Sequence, residues 1–282
     1  MKVGTCPGCL ETKPLVSSHL VSRAVYDYLR TNDLHPIVTA GGTVRATTDQ
    51  LQADLLCEDC ERMLNDGGEK WMLGKLCTVD RRFPLYDLLH RQAPIDTNAD
   101  GDIFAAGMNP DIDVKSISHF ALGVFWKASL YPWAFGEISL GPYGEAFRTW
   151  LRGETAFPQN VALNVILSRP AAAQILMNPP YQTTSTPCHT YLFHVPAVLF
   201  RLSVGKQIPL AERALCFCSR AEHFIVVSDI VTEKILRANA TSFNESTKTK
   251  SYEKARAKQK KLARKRAAQS RCLCDSAAFD AQ

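Results

Sequence analysis

The sequence predicts an α+β protein with a small metal-binding finger at its N-terminus, a larger α+β domain and a basic C-terminal tail. Three observations carry this reading. Two Cys-x-x-Cys knuckles, Cys6-Pro7-Gly8-Cys9 and Cys57-Glu58-Asp59-Cys60, bracket a forty-seven-residue insert. Between residues 114 and 237, apolar patterns of helical period alternate with β-branched and aromatic runs. Residues 248–271 hold eleven Lys or Arg against one acid, Glu253, while the whole chain carries only +5, so the body is mildly acidic. With 282 residues, 46% of them hydrophobic and 22% charged, the chain can bury a substantial core.

Four thiolates in two such pairs predict a closed tetrahedral Zn²⁺ site at Cys6, Cys9, Cys57 and Cys60, because each knuckle places two sulfurs on one side of a single ion. Ser17-Ser18-His19 precedes Leu20, Ala24, Val25, Tyr28 and Leu29, a spacing that predicts a helix capped by Ser17 or Ser18. Past Pro36, residues 37–39 and 43–47 read as two short strands around Gly41-Gly42, a hairpin. Leu55-Leu56 lead into the second knuckle. From Glu61 a helix begins, which Gly67-Gly68 weaken before Trp71, Met72, Leu73 and Leu76 resume its apolar face. A knuckle, a hairpin and a knuckle that opens a helix describe a treble-clef finger over residues 1–80, standing apart from the rest.

Residues 81–113 read as a connecting segment, with 90–113 a loop rich in Asp, Asn, Gly and Pro. In the α+β domain, 114–237, helices are expected at 117–130 and 143–151. Strands are expected at 161–167, 190–195, 197–204 and 224–227, with Pro179-Pro180 in a loop. The tail, 238–282, is a solvated helix or a disordered polar segment, since its Ala/Lys/Arg/Gln run has helix propensity and no apolar stripe.

The N-terminus lacks the apolar stretch of a secretory signal, and the most apolar run, Tyr191 to Val204, is interrupted by His194, Pro196 and Arg201. No membrane partner is expected. Cysteines in metal-ligand spacing fit a reducing cytoplasm. No glycine-rich phosphate loop of the Walker or dinucleotide type is present.

The arrangement Cys6-x-x-Cys9, Ser18-His19-Leu20-Val21-Ser22, then Leu55-Leu56-Cys57-x-x-Cys60-Glu61 resembles the zinc-stapled members of the HNH endonucleases, over roughly the first 75 residues. The resemblance implies a ββα-metal core clamped by the knuckles, and a hydrolase that cuts phosphodiester bonds in nucleic acid, DNA favoured. It assigns His19 as the general base, a role that suits an imidazole titrating near neutrality. It assigns Glu61 as ligand to a catalytic Mg²⁺ or Mn²⁺, ions that prefer oxygen donors. Asn65 and Glu69, four and eight residues further on, share a face with Glu61 and are accessory candidates. Where the family carries a metal-ligating carboxylate or histidine, this chain has Ser18; near the family's asparagine it has Gln52 or Asp54.

The same residues admit plainer readings. His19 can be a helix-start histidine bonded to backbone, Glu61 an acid placed by the helix macrodipole, and Asn65 and Glu69 surface residues. Cys216-Phe-Cys218 reads as core packing and Cys272-Leu-Cys274 as an exposed thiol pair, while Cys188 beside His189, with His194 or His223, is a weaker thiol-nucleophile candidate. Lys254, Arg256, Lys258, Lys260, Lys261, Arg264, Lys265 and Arg266 are the nucleic-acid-binding candidates of the tail. Two functions follow: an HNH-type nuclease, or a non-catalytic zinc-finger protein that binds nucleic acid or, through the second domain, a protein partner.

Overall fold

The computed structural model describes residues 2–30, 37–40, 43–46, 50–76, 78, 80, 82–133, 138–169, 176–184, 186–246 and 257. The chain forms two compact units, one of Met1–Tyr28 with Gln50–Lys234, the other of Leu29–Asp49 with the chain from Ile235 onward. In the second, β3 (Ile37–Ala40) and β4 (Thr43–Ala46) pair antiparallel with Ala40 opposite Thr43, the expected hairpin; Gly41-Gly42 lie outside the described residues.

The first unit begins with a three-stranded sheet, β1 (Lys2–Thr5), β2 (Thr12–His19) and β5 (Gln52–Cys57), in the order β1-β2-β5. The first knuckle occupies the β1–β2 turn. β2 runs through Ser17-Ser18-His19, so the expected helix start is displaced: α1 spans Arg23–Leu29, and Ser22, not Ser17 or Ser18, accepts the Ala24 N–H. Ser18 is needed elsewhere. Between β2 and β5 the register slips, with Val16 opposite Leu56 but Ser17 opposite Asp54, and the buried Ser18 hydroxyl accepts from Leu56 N–H at 3.2 Å inside that bulge.

From the second knuckle one continuous helix runs through α2 (Glu58–Leu64), a π-helical turn (Asn65–Glu69) and α3 (Lys70–Leu76), and the short α4 (Pro84–Leu89) follows. Gly67 and Gly68 do not interrupt it. They lie where α5 (Val114–Ser129) crosses: a Cβ on Gly67 would sit 2.3 Å from the His119 ring, and one on Gly68 would sit 2.4 Å from the Ser116 carbonyl oxygen. Close approach of two backbones, rather than helix breaking, explains the pair.

α5 is capped by Asp113, whose carboxylate accepts from both the Ser116 N–H and its hydroxyl, and every residue from Ser116 to Ala128 is buried. One side meets the π turn, Leu64 and α3. The other presents Phe120 and Phe125 to Phe193 and Phe200 at centroid distances of 4.8 to 6.2 Å. Each such fully buried phenyl contributes about 2 kcal/mol. Thus α5 joins the cysteine-bearing elements to the main sheet within one unit, and the separation expected of the finger is not seen.

The main sheet has seven strands in the order β6-β7-β12-β8-β11-β10-β9, antiparallel except for the parallel β12/β8 pair. β8 (Val161–Leu167), β10 (His189–Val195), β11 (Val198–Val204) and β12 (Phe224–Val227) stand where expected, as do α5 and α6 (Tyr143–Leu151). Two regions expected as loops are strands. β6 (Asp96–Asn98) and β7 (Gly101–Ala105) form a hairpin whose second strand pairs with β12; its polar composition reflects the exposed outer strand. β9 (Asn178–Thr184) contains Pro179-Pro180, tolerated because it is an edge strand with bulged pairing to β10. Among the described residues no helix is long and apolar enough to cross a membrane.

Candidate functional site

The two knuckles converge. Ligand sulfurs of Cys6, Cys9, Cys57 and Cys60 all lie within 4.8 Å of one another, the only such group of three or more ligand atoms among the described residues. Cys9 and Cys57 Sγ are 3.8 Å apart, matching the edge of about 3.8 Å for a tetrahedron built on Zn–S bonds of about 2.3 Å. The chemistry fits zinc as well as the geometry does. Gly8 allows the first knuckle to close over Cys60, since a Cβ there would meet that sulfur at 2.6 Å.

Burial opposes ionisation of Cys6, yet N–H groups of Cys57, Cys9 and Gly8 directed at its sulfur bring the thiol down to about 7. Burial pushes Cys57 up, and pushes Cys60 up further together with the neighbouring thiols. Loading the site with a dication therefore releases protons.

A tetrathiolate around Zn²⁺ leaves a net charge of about −2, and α6 supplies cations beside it. Arg148 donates to the Gly8 carbonyl at 3.1 Å and Arg152 to the same oxygen at 3.5 Å. Glu145 orients the Arg148 guanidinium by two hydrogen bonds, and Glu154 pairs with Arg152. Both guanidiniums hold their protons more tightly, chiefly through those carboxylates, with Cys60 adding to the effect.

The sequence candidates for catalysis lie on β2 and on the helix after the second knuckle. His19 is the last residue of β2, half-buried, and its Nε2 faces Gln50 Oε1 at 2.7 Å. An amide oxygen accepts, so this contact places the imidazole proton on Nε2 and leaves Nδ1 as the acceptor. Glu61 stands in the first turn of α2 with Glu58 and Asp59, where the macrodipole favours acids, but its Oε1 is buried without a hydrogen-bond partner among the described residues. Asn65 opens the π turn, and its side-chain amide donates to its neighbour Asp66. Glu69 closes it.

A π turn takes one more residue than an α turn. In an unbroken α-helix, residues four apart drift about 40° around the axis. The extra residue turns the helix back, so Glu61, Asn65 and Glu69 stay nearer to one line than α geometry would leave them. Glu69 is met by Lys127 of α5, whose Nζ lies 3.9 Å from Glu69 Oε2 and donates to the His19 carbonyl at 2.7 Å. One ammonium thus spans the end of β2 and the far end of the π turn.

Lys127 and Gln50 were not among the residues singled out from sequence. Lys127 did leave a signal, as the lone Lys or Arg between Ile117 and Leu130 in a run otherwise dense in apolar residues. Gln50 left none, lying in a polar stretch close to the Gln52 and Asp54 that were considered. The position at which a metal-ligating carboxylate or histidine was sought, Ser18, is committed to backbone. Gln52 and Asp54 lie in β5, opposite His19 and Ser17. Cys188 is 3.8 Å from the Thr190 hydroxyl, and His223 donates from Nδ1 to the Phe217 carbonyl, so no thiol–imidazole pair is found there among the described residues. Cys218 is pushed up to about 12 by burial, a packing thiol, as read for that pair. The eight basic residues of the tail, Lys254 to Arg266, and Cys272-Leu-Cys274 lie outside the described residues.

Compared with models of protein families, with curated proteins and with solved structures, the chain matches none.

Proposed function

We propose that this chain is a metal-dependent nuclease of the HNH type, hydrolysing phosphodiester bonds in nucleic acid, DNA favoured, on a treble-clef zinc scaffold. The observation that supports the reading is the bridge through Lys127, whose buried ammonium meets both the His19 carbonyl at the end of β2 and Glu69, on a helix whose Glu61 keeps a buried carboxylate oxygen without a partner among the described residues. Histidine on a strand end and carboxylates on the helix that follows the second knuckle are the residue types a metal-assisted hydrolysis uses.

In this reading His19 Nδ1 accepts a proton from water while Gln50 holds Nε2–H and fixes the ring. Glu61 and Glu69 would hold Mg²⁺ or Mn²⁺, since such ions take one or two carboxylates and fill the remaining positions with water and substrate phosphate. When bound, the ion stabilises charge developing on the phosphate and the leaving oxygen. Basic residues of the tail, Lys254 to Arg266, would add phosphate contacts that are not base-specific.

Ser18, locked into the β2–β5 bulge, favours the second reading, a non-catalytic zinc finger that binds nucleic acid or a protein partner. Plasmid nicking with Mg²⁺ or Mn²⁺ separates the two. The nuclease reading expects nicking by the wild type and loss of at least about a hundredfold in His19→Ala with zinc content unchanged; absence of cleavage with any divalent metal refutes it.

A further inference from the structure

We propose that Lys127 is a positioning residue of the nucleolytic site, so that residues of the α+β region complete a site the N-terminal finger alone does not contain. The inference rests on the nuclease reading of His19, Glu61 and Glu69. Lys127 sits on α5, and its side chain is only 3% exposed. A buried cation is a poor choice for packing: removing an ammonium from water is costly unless pairing is excellent, and an apolar side chain of the same length often stabilises a core better. Its neighbours on α5, Phe125, Trp126 and Ala128, are apolar and buried, as a helix inserted between two layers requires.

The contacts show what the ammonium is for. It donates to the His19 carbonyl at 2.7 Å, across 108 residues of sequence, and faces Glu69 Oε2 at 3.9 Å. Both partners belong to the site, and neither belongs to α5. The Lys127 backbone is itself fixed, with its carbonyl accepting from the Trp133 indole N–H at 3.2 Å. Gly67 and Gly68 permit the close crossing of α5 and the π turn that brings Lys127 within range of Glu69. Being almost fully covered, Lys127 does not touch a nucleic acid. It holds the base-bearing strand end and the second carboxylate in fixed relation, a condition on geometry that governs the chemical step more than substrate binding.

The test uses the full chain, supercoiled plasmid and Mn²⁺. Lys127→Met is expected to lower kcat at least tenfold with KM for plasmid within about twofold of wild type. Mn²⁺ affinity, read by water-proton relaxation without DNA, should stay equal or rise, because a like charge beside Glu69 has gone. Lys127→Arg should recover a large part of kcat. Should Lys127→Met not fold, a cycle of Lys127→Gln and Glu69→Gln replaces it, and the expected result is a double variant no slower than the slower single. A kcat within twofold of wild type in Lys127→Met overturns the proposal, as do independent losses in the cycle. So does a parallel fall of kcat, Mn²⁺ affinity and Tm that Lys127→Arg does not relieve, which marks a mere structural prop. Wild-type protein that fails to nick plasmid whichever divalent metal is supplied overturns the nuclease reading itself.

Discussion

Gln50 Oε1 accepts from Nε2–H of His19 at 2.7 Å, tying a residue two positions before β5 to the last residue of β2. The contact orients the ring and decides which nitrogen carries the proton. Gln50→Leu is expected to reduce nicking about tenfold while leaving zinc content intact. Gln50→Glu should stabilise the imidazolium and move the acid limb of the pH–rate profile to higher pH. A profile that does not move in Gln50→Glu removes Gln50 from the site.

Arg148, beside the first knuckle, should matter to the metal before it matters to the fold. Arg148→Met is expected to speed zinc transfer to a colorimetric chelator about tenfold, and Arg148→Lys by less, since lysine keeps the charge and loses the fork that reaches Gly8 and Glu145 together. Equal transfer rates for all three proteins would show that the Gly8 contact is incidental.

Three glycines of one helix make contrasting predictions. Gly67→Ala and Gly68→Ala force a Cβ into His119 and into the Ser116 carbonyl, and each should destabilise by about 3 kcal/mol in urea. Gly74 has open space around its Cβ direction, so Gly74→Ala should stabilise by about 0.5–1 kcal/mol through helix propensity. If Gly67→Ala is as benign as Gly74→Ala, the α5 crossing is not as close as described.

His194 sits in β10, 2% exposed, with both ring nitrogens unpartnered among the described residues, and burial pushes its pKa down to about 4. Unfolded chains protonate this imidazole below about 6.5, whereas the folded protein resists until about 4. The folded state is therefore unpenalised above about 6.5 and loses stability as pH falls from there toward 4. Between pH 7.5 and 5 the loss is about 2 kcal/mol. His194→Leu should shrink that part of the pH dependence in urea melts; an unchanged slope would place the acid sensitivity elsewhere.

Much of this architecture is legible in local chemistry. Cysteine spacing alone pairs the two knuckles, because zinc accepts few ligand sets. The strands 161–167 and 224–227 and the helix 143–151 carry their own periodic apolar patterns, and the Ile37–Ala46 hairpin its central glycines. What misled was composition without context. The 90–113 stretch reads as loop because β6 is exposed, and Pro179-Pro180 reads as a break because an edge strand is not visible until the sheet has an order. Gly67-Gly68 reads as a weak helix because the partner that needs the space, α5, lies about fifty residues on in the chain.

The sequence by itself determined the four cysteines that cluster, the α+β class and the residue types that could do chemistry, since each rests on spacing or periodicity within a few residues. Only the tertiary structure decided which of those residues meet. Ser18 is spent on a bulge, His19 ends a strand and is held by Gln50, and Glu69 reaches His19 through Lys127. These are contacts between elements separated by 31 to 108 residues, set by how α5 packs, and no local pattern encodes them.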